Sequence, residues 1–161
     1  SRVAGIHSFD GDLETGHTPM SVTITLEDEI DISRGDMIVR THNVPRIDRE
    51  FEAALCWMDE EPMQVGAKYL IKHTSRTLRG VVRELRYGID VETLHRDTSK
   101  TELGLNEIGR VIIKMQQPLY CDAYSQNRTT GSFIVIDERS NLTVGAGMIW
   151  KPLRKAPEVE A

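Results

Sequence analysis

The stretch NRTTGSFIVIDERSNLTVGAGMI, from Asn127 to Ile149, decides the fold class of the chain. It contains two runs rich in β-branched and apolar residues, Ser132–Asp137 and Leu142–Ile149, joined by the polar turn Glu138–Asn141. Two such runs on either side of a short polar turn are typical of a β-hairpin. The second run contains the sequence Gly-Ala-Gly. Its strand neighbours decide which kind of sheet or barrel this last strand belongs to.

Runs with the same character continue outward from the hairpin, separated by turn residues or charged loops. In SVTITL (Ser21–Leu26) apolar and polar side chains alternate, which predicts a half-buried strand. The other predicted strands are Arg2–Phe9, Asp36–Arg40, Arg49–Met58, Lys68–Thr74, Thr77–Val91 and Glu107–Met115. Within Thr77–Val91 we expect a bulge or bend at Gly80 or Gly88.

The run EFEAALCWM admits two interpretations. Phe51, Leu55 and Trp57 recur with period two, which favours a strand, whereas the alanines and glutamates of residues 47–58 favour a helix. We prefer the strand because no capping signal begins a helix there and strand-like runs surround it. The alternating faces predict one core, formed by Phe51, Leu55, Trp57, Val111, Ile113, Phe133, Val135, Val144 and Met148.

The chain is therefore predicted to be all-β with two units and a tail. Residues 1–42 hold too few strands to close a barrel, so we expect them to be the back part of one. Residues 43–150, which begin near the proline-containing connector Thr41–Asp48, are enough for a complete antiparallel barrel. Residues 151–161 contain two prolines and no apolar face, which indicates a linker-like tail.

Composition narrows the class of function. The 161 residues include 20 Lys and Arg against 25 Asp and Glu, giving a formal net charge of −5. This balance argues against a general binder of nucleic acid or of a membrane surface, and no apolar run is long enough to span a bilayer. Cys56 and Cys121 stand far apart without a C-x-x-C partner, so we expect free thiols in a reducing, cytoplasmic setting.

No catalytic constellation is present in the sequence. The phosphate-loop pattern G-x-x-x-x-G-K-[ST] and the guanine-recognition pattern N-K-x-D do not occur, and the five histidines lack metal-ligand spacing. We therefore assign no catalytic, cofactor-binding or metal residue.

One charged segment stands out in this acidic chain. Between Lys68 and Arg86 there are six basic residues and one acid, Glu84. The functional interpretation is a docking surface for an acidic partner or a phosphate, and the alternative is a set of solvated side chains that guard a strand edge. The candidate docking residues are Lys72, Arg76, Arg79 and Arg83.

Several motifs along the chain carry a family resemblance. They are FDGDLE (Phe9–Glu14), ITLEDEIDISRGD (Ile24–Asp36), EEPM (Glu60–Met63), LNEIGRV (Leu105–Val111) and NRTTGSFIVID (Asn127–Asp137). Together they resemble the large, GTP-binding subunit of bacterial sulfate adenylyltransferase, within the elongation-factor-Tu-like GTPase superfamily. TVGAGMI (Thr143–Ile149) is similar to the last strand of the third domain in that superfamily. The resemblance implies that residues 1–42 belong to the second barrel and that Leu142–Ile149 closes the third.

The resemblance also implies a function. That family forms adenylylsulfate and diphosphate from ATP and sulfate, coupled to GTP hydrolysis. GTP and magnesium would bind a nucleotide domain that this chain does not contain, and a separate, smaller catalytic subunit would transfer the adenylyl group. Some members continue into an adenylylsulfate kinase. We therefore expect this chain to be inactive alone and to act as a scaffold and coupling surface, with the catalytic subunit and its own GTPase domain as partners.

Two other functions are left open by the residues themselves. The equivalent barrels of a translation-factor GTPase bind aminoacyl-tRNA, although the acidic net charge and the motifs above count against this. A free-standing barrel that binds a small ligand would need an apolar pocket with convergent polar groups, and the sequence indicates none.

Overall fold

The described chain is built from β-strands that pair antiparallel. A computed structural model describes residues 1–152, and these contain no helix. Their strands are β1 (Val3–Ser8), β2 (Gly11–Leu13), β3 (Thr23–Leu26), β4 (Arg46–Trp57), β5 (Met63–Gln64), β6 (Lys68–His73), β7 (Arg76–Ile89), β8 (Arg96–Asp97), β9 (Glu102–Leu103), β10 (Ile108–Cys121), β11 (Ser132–Ile136) and β12 (Thr143–Pro152). The all-β prediction is confirmed.

The chain divides into two compact units, Ser1–Asp36 and a second unit that begins at Met37. In the first unit, β1 lies between β2 and β3 in a three-stranded antiparallel sheet. Ile6 of β1 is opposite Leu13 on one side and Ile24 on the other. Directly opposed residues share a face, so these half-buried side chains form the apolar side of the sheet.

The strand predicted over Asp36–Arg40 is wrong. Asp36 instead closes a turn, because its backbone N–H donates to the carbonyl of Ser33 at 3.1 Å and its carboxylate accepts from the Ser33 N–H at 2.8 Å. Asp36 makes only an isolated bridge, to Arg34, and Ile38 is exposed. Apolar β-branched residues favour a strand only where a neighbouring strand is available to pair with them.

Six strands of the second unit close a barrel. Their order is β10, β4, β12, β11, β6, β7, and β7 pairs again with β10. Closure removes free edges from the barrel, which confirms the predicted antiparallel barrel. The strand that contains Gly-Ala-Gly is β12, and it pairs with both β11 and β4.

β4 confirms the strand interpretation of EFEAALCWM and rejects the helix. It begins at Arg46, inside the predicted connector, and continues to Trp57. Phe51, Ala53 and Leu55 are fully buried while the intervening outward side chains lie on the other face, as strand geometry requires.

The barrel interior is filled by apolar side chains. Phe51 meets Phe133 edge to face with ring centroids 5.4 Å apart, and Trp57 meets Tyr69 in the same way. Every member of the predicted core is buried except Met148. Close packing of this kind leaves the outer surface, rather than the barrel interior, for binding.

Met148 is exposed because β12 contains a bulge. One extra residue, Val144, is inserted opposite β11, and both Val144 and Gly145 face the interior. The alternation beyond the bulge is shifted by one residue. Ile149 therefore occupies the core, while Met148 is 45% exposed on the outer face.

The bulges of β7 are not at its glycines, so that prediction is wrong. The register between β7 and β10 skips Arg83 and Arg86. Gly80 and Gly88 are buried and allow close approach of neighbours instead; a Cβ at Gly80 would lie 2.8 Å from Cγ1 of Ile71. Bulges depend on how two strands pair, which a glycine in one strand does not fix.

The predicted tail lies mostly outside the described residues. Lys151 and Pro152 complete β12, and the rest of 151–161 is not described. The predicted domain boundary after residue 42 stays a prediction. No helix in the described part of the chain is long and apolar enough to cross a membrane.

Candidate partner-binding surface

The pairing of β6 with β7 separates the four predicted docking residues. Lys72 is opposite Thr77 and Arg79 is opposite Leu70, and both basic side chains are exposed on the outer face of the barrel. Arg76 is opposite the buried His73 and is itself half-buried, and its guanidinium donates to Gln117 Oε1 at 3.1 Å. The structure thus brings Lys72 and Arg79 onto one face but does not assemble all four residues into one patch.

Most of these basic residues have partners within the chain. Arg79 Nε donates to Glu138 Oε1 at 2.8 Å, and Arg83 forms an ion pair with Glu50. Because these pairs are exposed, each contributes little to stability, but it does lower the positive potential of the surface. No ion pair within the described residues involves Lys72, so Lys72 keeps an uncompensated charge. Whether Lys72, Arg76, Arg79 and Arg83 take part in docking stays a prediction.

Lys72 lies at a groove together with a second basic residue, Arg128. The groove lies on the outer side of β6, β11 and β12, and its lining includes Ser132, Ile134 and Met148. The Arg128 guanidinium carbon is 6.0 Å from the centre of the Tyr124 ring. Arg128 is part of the NRTTGSFIVID motif, but its position beside Lys72 depends on the fold and was not predicted.

The outer face next to this groove is apolar across several strands. The registers place Ile134, Ala146, Cys56, Ile108 and Ile89 in one continuous row over β11, β12, β4, β10 and β7. The barrel interior is already filled, so this row cannot belong to the same core. Ala146 is exposed and the other four side chains are half-buried, so this partly exposed apolar row, with Lys72 beside it, is a candidate surface for packing against another protein.

A second row runs beside the first and mixes apolar and charged groups. It consists of Ser132, Met148, Ala54, Arg110 and Tyr87. The two rows and the groove together are called the outer face below. Lys72 adjoins the first row at Ile134, and Arg96 adjoins its other end at Ile89.

Titratable groups inside the barrel have structural roles. His73 is 1% exposed, and its Nε2 is 2.7 Å from the carbonyl oxygen of Thr130. Burial lowers the pKa of His73, against smaller opposing effects of the Thr130 hydrogen bond and Asp122. Burial likewise raises the pKa of Cys121 to about 12. Both groups are therefore neutral near pH 7 and suited to packing rather than to acid–base chemistry.

Within residues 1–152 no group of three or more His, Cys, Asp or Glu side chains could hold a metal ion. Both Cys56 and Cys121 are free thiols.

These observations define a closed, six-stranded antiparallel barrel with a filled core and a partly apolar outer face. Its sequence fits one family of such barrels over residues 50–150. The chain belongs to the GTP-eEF1A C-terminal domain-like family.

Relatives with known names extend the match to most of the chain. The chain is 50% identical over 150 residues to the bifunctional enzyme CysN/CysC of Mycobacterium tuberculosis (strain ATCC 25618 / H37Rv), covering 92% of this chain and 24% of that protein. It is 50% identical over 149 residues to sulfate adenylyltransferase subunit 1 of Alteromonas mediterranea, covering 92% of this chain and 31% of that protein. The chain thus spans only a quarter to a third of the length of these relatives.

Solved structures agree on the fold. The chain resembles sup35 complexed with GDP with a TM-score of 0.78 at 15% identity, covering 94% of this chain and 38% of that one. At this identity the likeness establishes the fold alone. The resemblance to the sulfate adenylyltransferase subunit therefore depends on the half-identical relatives.

Proposed function

We propose that this chain is the C-terminal barrel region of the GTP-binding subunit of sulfate adenylyltransferase. The parent enzyme would form adenylylsulfate and diphosphate from ATP and sulfate, coupled to GTP hydrolysis. Support comes from half-identical relatives across 92% of the chain, one of them named as subunit 1 of that enzyme. The chain itself supplies neither the nucleotide site nor the adenylyl-transfer site and is inactive alone.

The role of the barrel is to provide a rigid surface that couples the other parts of the enzyme. The observation that carries this role is the outer face, where an apolar row spans five strands outside a core that is already complete. A closed hydrogen-bonded barrel keeps such a face in one shape, so it would hold the parts bound to it in a defined arrangement. Lys72 and Arg128 would guide an acidic partner toward it.

The remaining parts of the proposal concern groups outside this chain. GTP and magnesium would bind a nucleotide domain joined to the barrels, and the small catalytic subunit would meet the outer face. In some members the subunit would also continue into an adenylylsulfate kinase, in line with the relative that is named a bifunctional enzyme. The proposed site of action is the cytoplasm.

The two alternative functions have weaker support. tRNA binding rests on structural neighbours at 15% identity, a level that speaks for fold only. A ligand inside the barrel has no space, because side chains such as Phe51, Leu55 and Ile113 fill the interior.

The test uses the full-length subunit together with its catalytic subunit. Met148→Glu places a charge at the centre of the outer face, whereas Leu142→Glu places one on the exposed β11–β12 turn and is the control. Since Met148 points outward, we expect both variants to fold. Met148→Glu should weaken association by at least about tenfold, because burying a charge at an interface is costly. Equal association of both variants would contradict a coupling role for this face.

A further inference from the structure

A charged pair lies on the outside of the barrel, with Arg110 in the second row and Glu52 next to that row, yet it is almost completely covered. Glu52 of β4 and Arg110 of β10 are 6% and 8% exposed. The neighbours of Glu52 in the chain, Phe51 and Ala53, point into the barrel, so Glu52 itself points outward. Charged groups on the outside of a barrel normally reach water, and these do not.

The hydrogen bonding of this pair is incomplete. Arg110 Nε is 3.3 Å from the Tyr87 hydroxyl but 3.8 Å from Glu52 Oε1, which is too far for a hydrogen bond. Among the described residues, Arg110 Nη1 and Glu52 Oε2 have no hydrogen-bond partner, although Lys151 Nζ lies 3.6 Å from Glu52 Oε2. A buried guanidinium donor without an acceptor is costly and calls for an explanation.

A tryptophan covers the guanidinium. The Trp150 ring centre is 4.2 Å from Arg110 Cζ, a cation–π distance. Trp150 is itself 60% exposed, so a large part of its side chain is open to solvent or to a partner. Turning the ring aside would open a path to Arg110 Nη1.

We propose that Arg110 and Trp150 form an anchor site for a carboxylate side chain of the catalytic subunit. The inference rests on the proposed function, because it names the chemistry of the partner at the outer face. A carboxylate would accept from the planar guanidinium, supply the missing acceptor for Nη1, and lie beneath or beside the Trp150 ring.

Charge and residue type both support this occupant. Arg110 and Lys151 bring two positive charges to the site against the single negative charge of Glu52, so one further carboxylate makes the cluster neutral. Among the described residues, the neighbouring acid Glu84 lies 3.8 Å from Arg86, and the proposal assigns the missing carboxylate to the catalytic subunit. Trp, Tyr and Arg are the side chains that dominate binding energy between separately folded proteins.

A photo-crosslinker at position 150 tests which chain covers the site. The full-length subunit is prepared with Trp150→p-benzoylphenylalanine, mixed with the catalytic subunit and irradiated. The expected product joins position 150 to a peptide of the catalytic subunit that contains Asp or Glu. A complex that elutes intact but cross-links only within the same chain, to a peptide without acids, or not at all would refute the anchor while leaving the proposed function standing. Failure of the unmodified subunits to associate would instead refute the proposed function.

Substitution of the arginine tests the chemistry. Arg110→Lys keeps a positive charge beside Glu52, which protects folding, but removes the planar fork. We expect binding of the catalytic subunit to weaken about tenfold. The control is Arg139→Lys, because Arg139 has an 80% exposed side chain and pairs with Glu61 away from this site. Trp150→Ala, which leaves the ion pair in place, should weaken binding similarly. Unchanged affinity in Trp150→Ala, or in a folded Arg110→Lys, would overturn the inference.

Discussion

Gly147, the second glycine of the Gly-Ala-Gly in β12, makes room for an aromatic ring on the neighbouring strand. It is paired with Phe133 of β11, whose ring packs edge to face on Phe51. A Cβ added at Gly147 would lie 2.6 and 2.7 Å from two ring carbons of Phe133, Cε1 and Cε2, and nearer still to Cζ. Carbon atoms in contact prefer about 3.5–4.0 Å, so the ring would have to move by about 1 Å.

We therefore predict that Gly147→Ala destabilises the barrel. Overpacking of a filled core costs up to about 3 kcal/mol, and the smaller backbone entropy of alanine in the unfolded chain returns up to about 1 kcal/mol. The net loss is about 2 kcal/mol, or a fall of about 8 °C in melting temperature. Both tryptophans of the chain, Trp57 and Trp150, belong to the second unit, so urea unfolding followed by tryptophan fluorescence reports on the barrel.

The matched control is Gly104→Ala, where an added Cβ would lie 3.8 Å from the nearest atoms, in the Glu107 side chain. This variant should keep or slightly raise the stability. Combining Gly147→Ala with Phe133→Leu should cost less than the sum of the two single changes, because the clash is then removed. Equal stability of the Gly147→Ala and Gly104→Ala variants, or strict additivity with Phe133→Leu, would refute the reasoning.

Three further predictions concern single buried groups. With a thiol reagent at pH 8, the native protein should react rapidly only at Cys56, because Cys121 is fully buried and its pKa is raised to about 12. Rapid modification of Cys121 in a Cys56→Ser variant would contradict this prediction. Burial lowers the pKa of His73 from 6.5, so the stability that neutral His73 contributes should be fully present above pH 6.5 and be lost as the pH falls toward its pKa in the folded protein. The free energy of unfolding of His73→Gln, measured by urea unfolding, should therefore depend less on pH. An unchanged pH profile would count against this prediction. Val135→Asp places an unpaired charge at a fully buried position and should destabilise the barrel by several kcal/mol, seen as a large drop in melting temperature. Ile134→Asp, on the outer face, should destabilise it much less. Similar melting temperatures for the two variants would show that the face assignment is wrong.

Several elements were accessible from sequence because their signals are local. Alternation in EFEAALCW is a property of one strand, so Phe51, Leu55 and Trp57 could be assigned to the core before any pairing was known. Turn residues between strand-like runs predicted the hairpin of β11 and β12, although not its register. The sequence also showed that the segment around Lys72 is basic, but not that Arg79 and Arg83 pair with Glu138 and Glu50.

Strand content, the inner face of strands such as β4 and the class of closed barrel could be predicted from the sequence, since periodicity and turn chemistry act over a few residues. The tertiary structure alone decided the rest. Val144 becomes a bulge through pairing with β11, and this exposes Met148. Arg83 meets Glu50 across strands far apart in the chain, and Trp150 covers Arg110 for the same reason. Such contacts depend on the register in which distant strands pair and on the closure of the barrel. The residue pattern along one strand does not specify which residue of another strand will lie opposite.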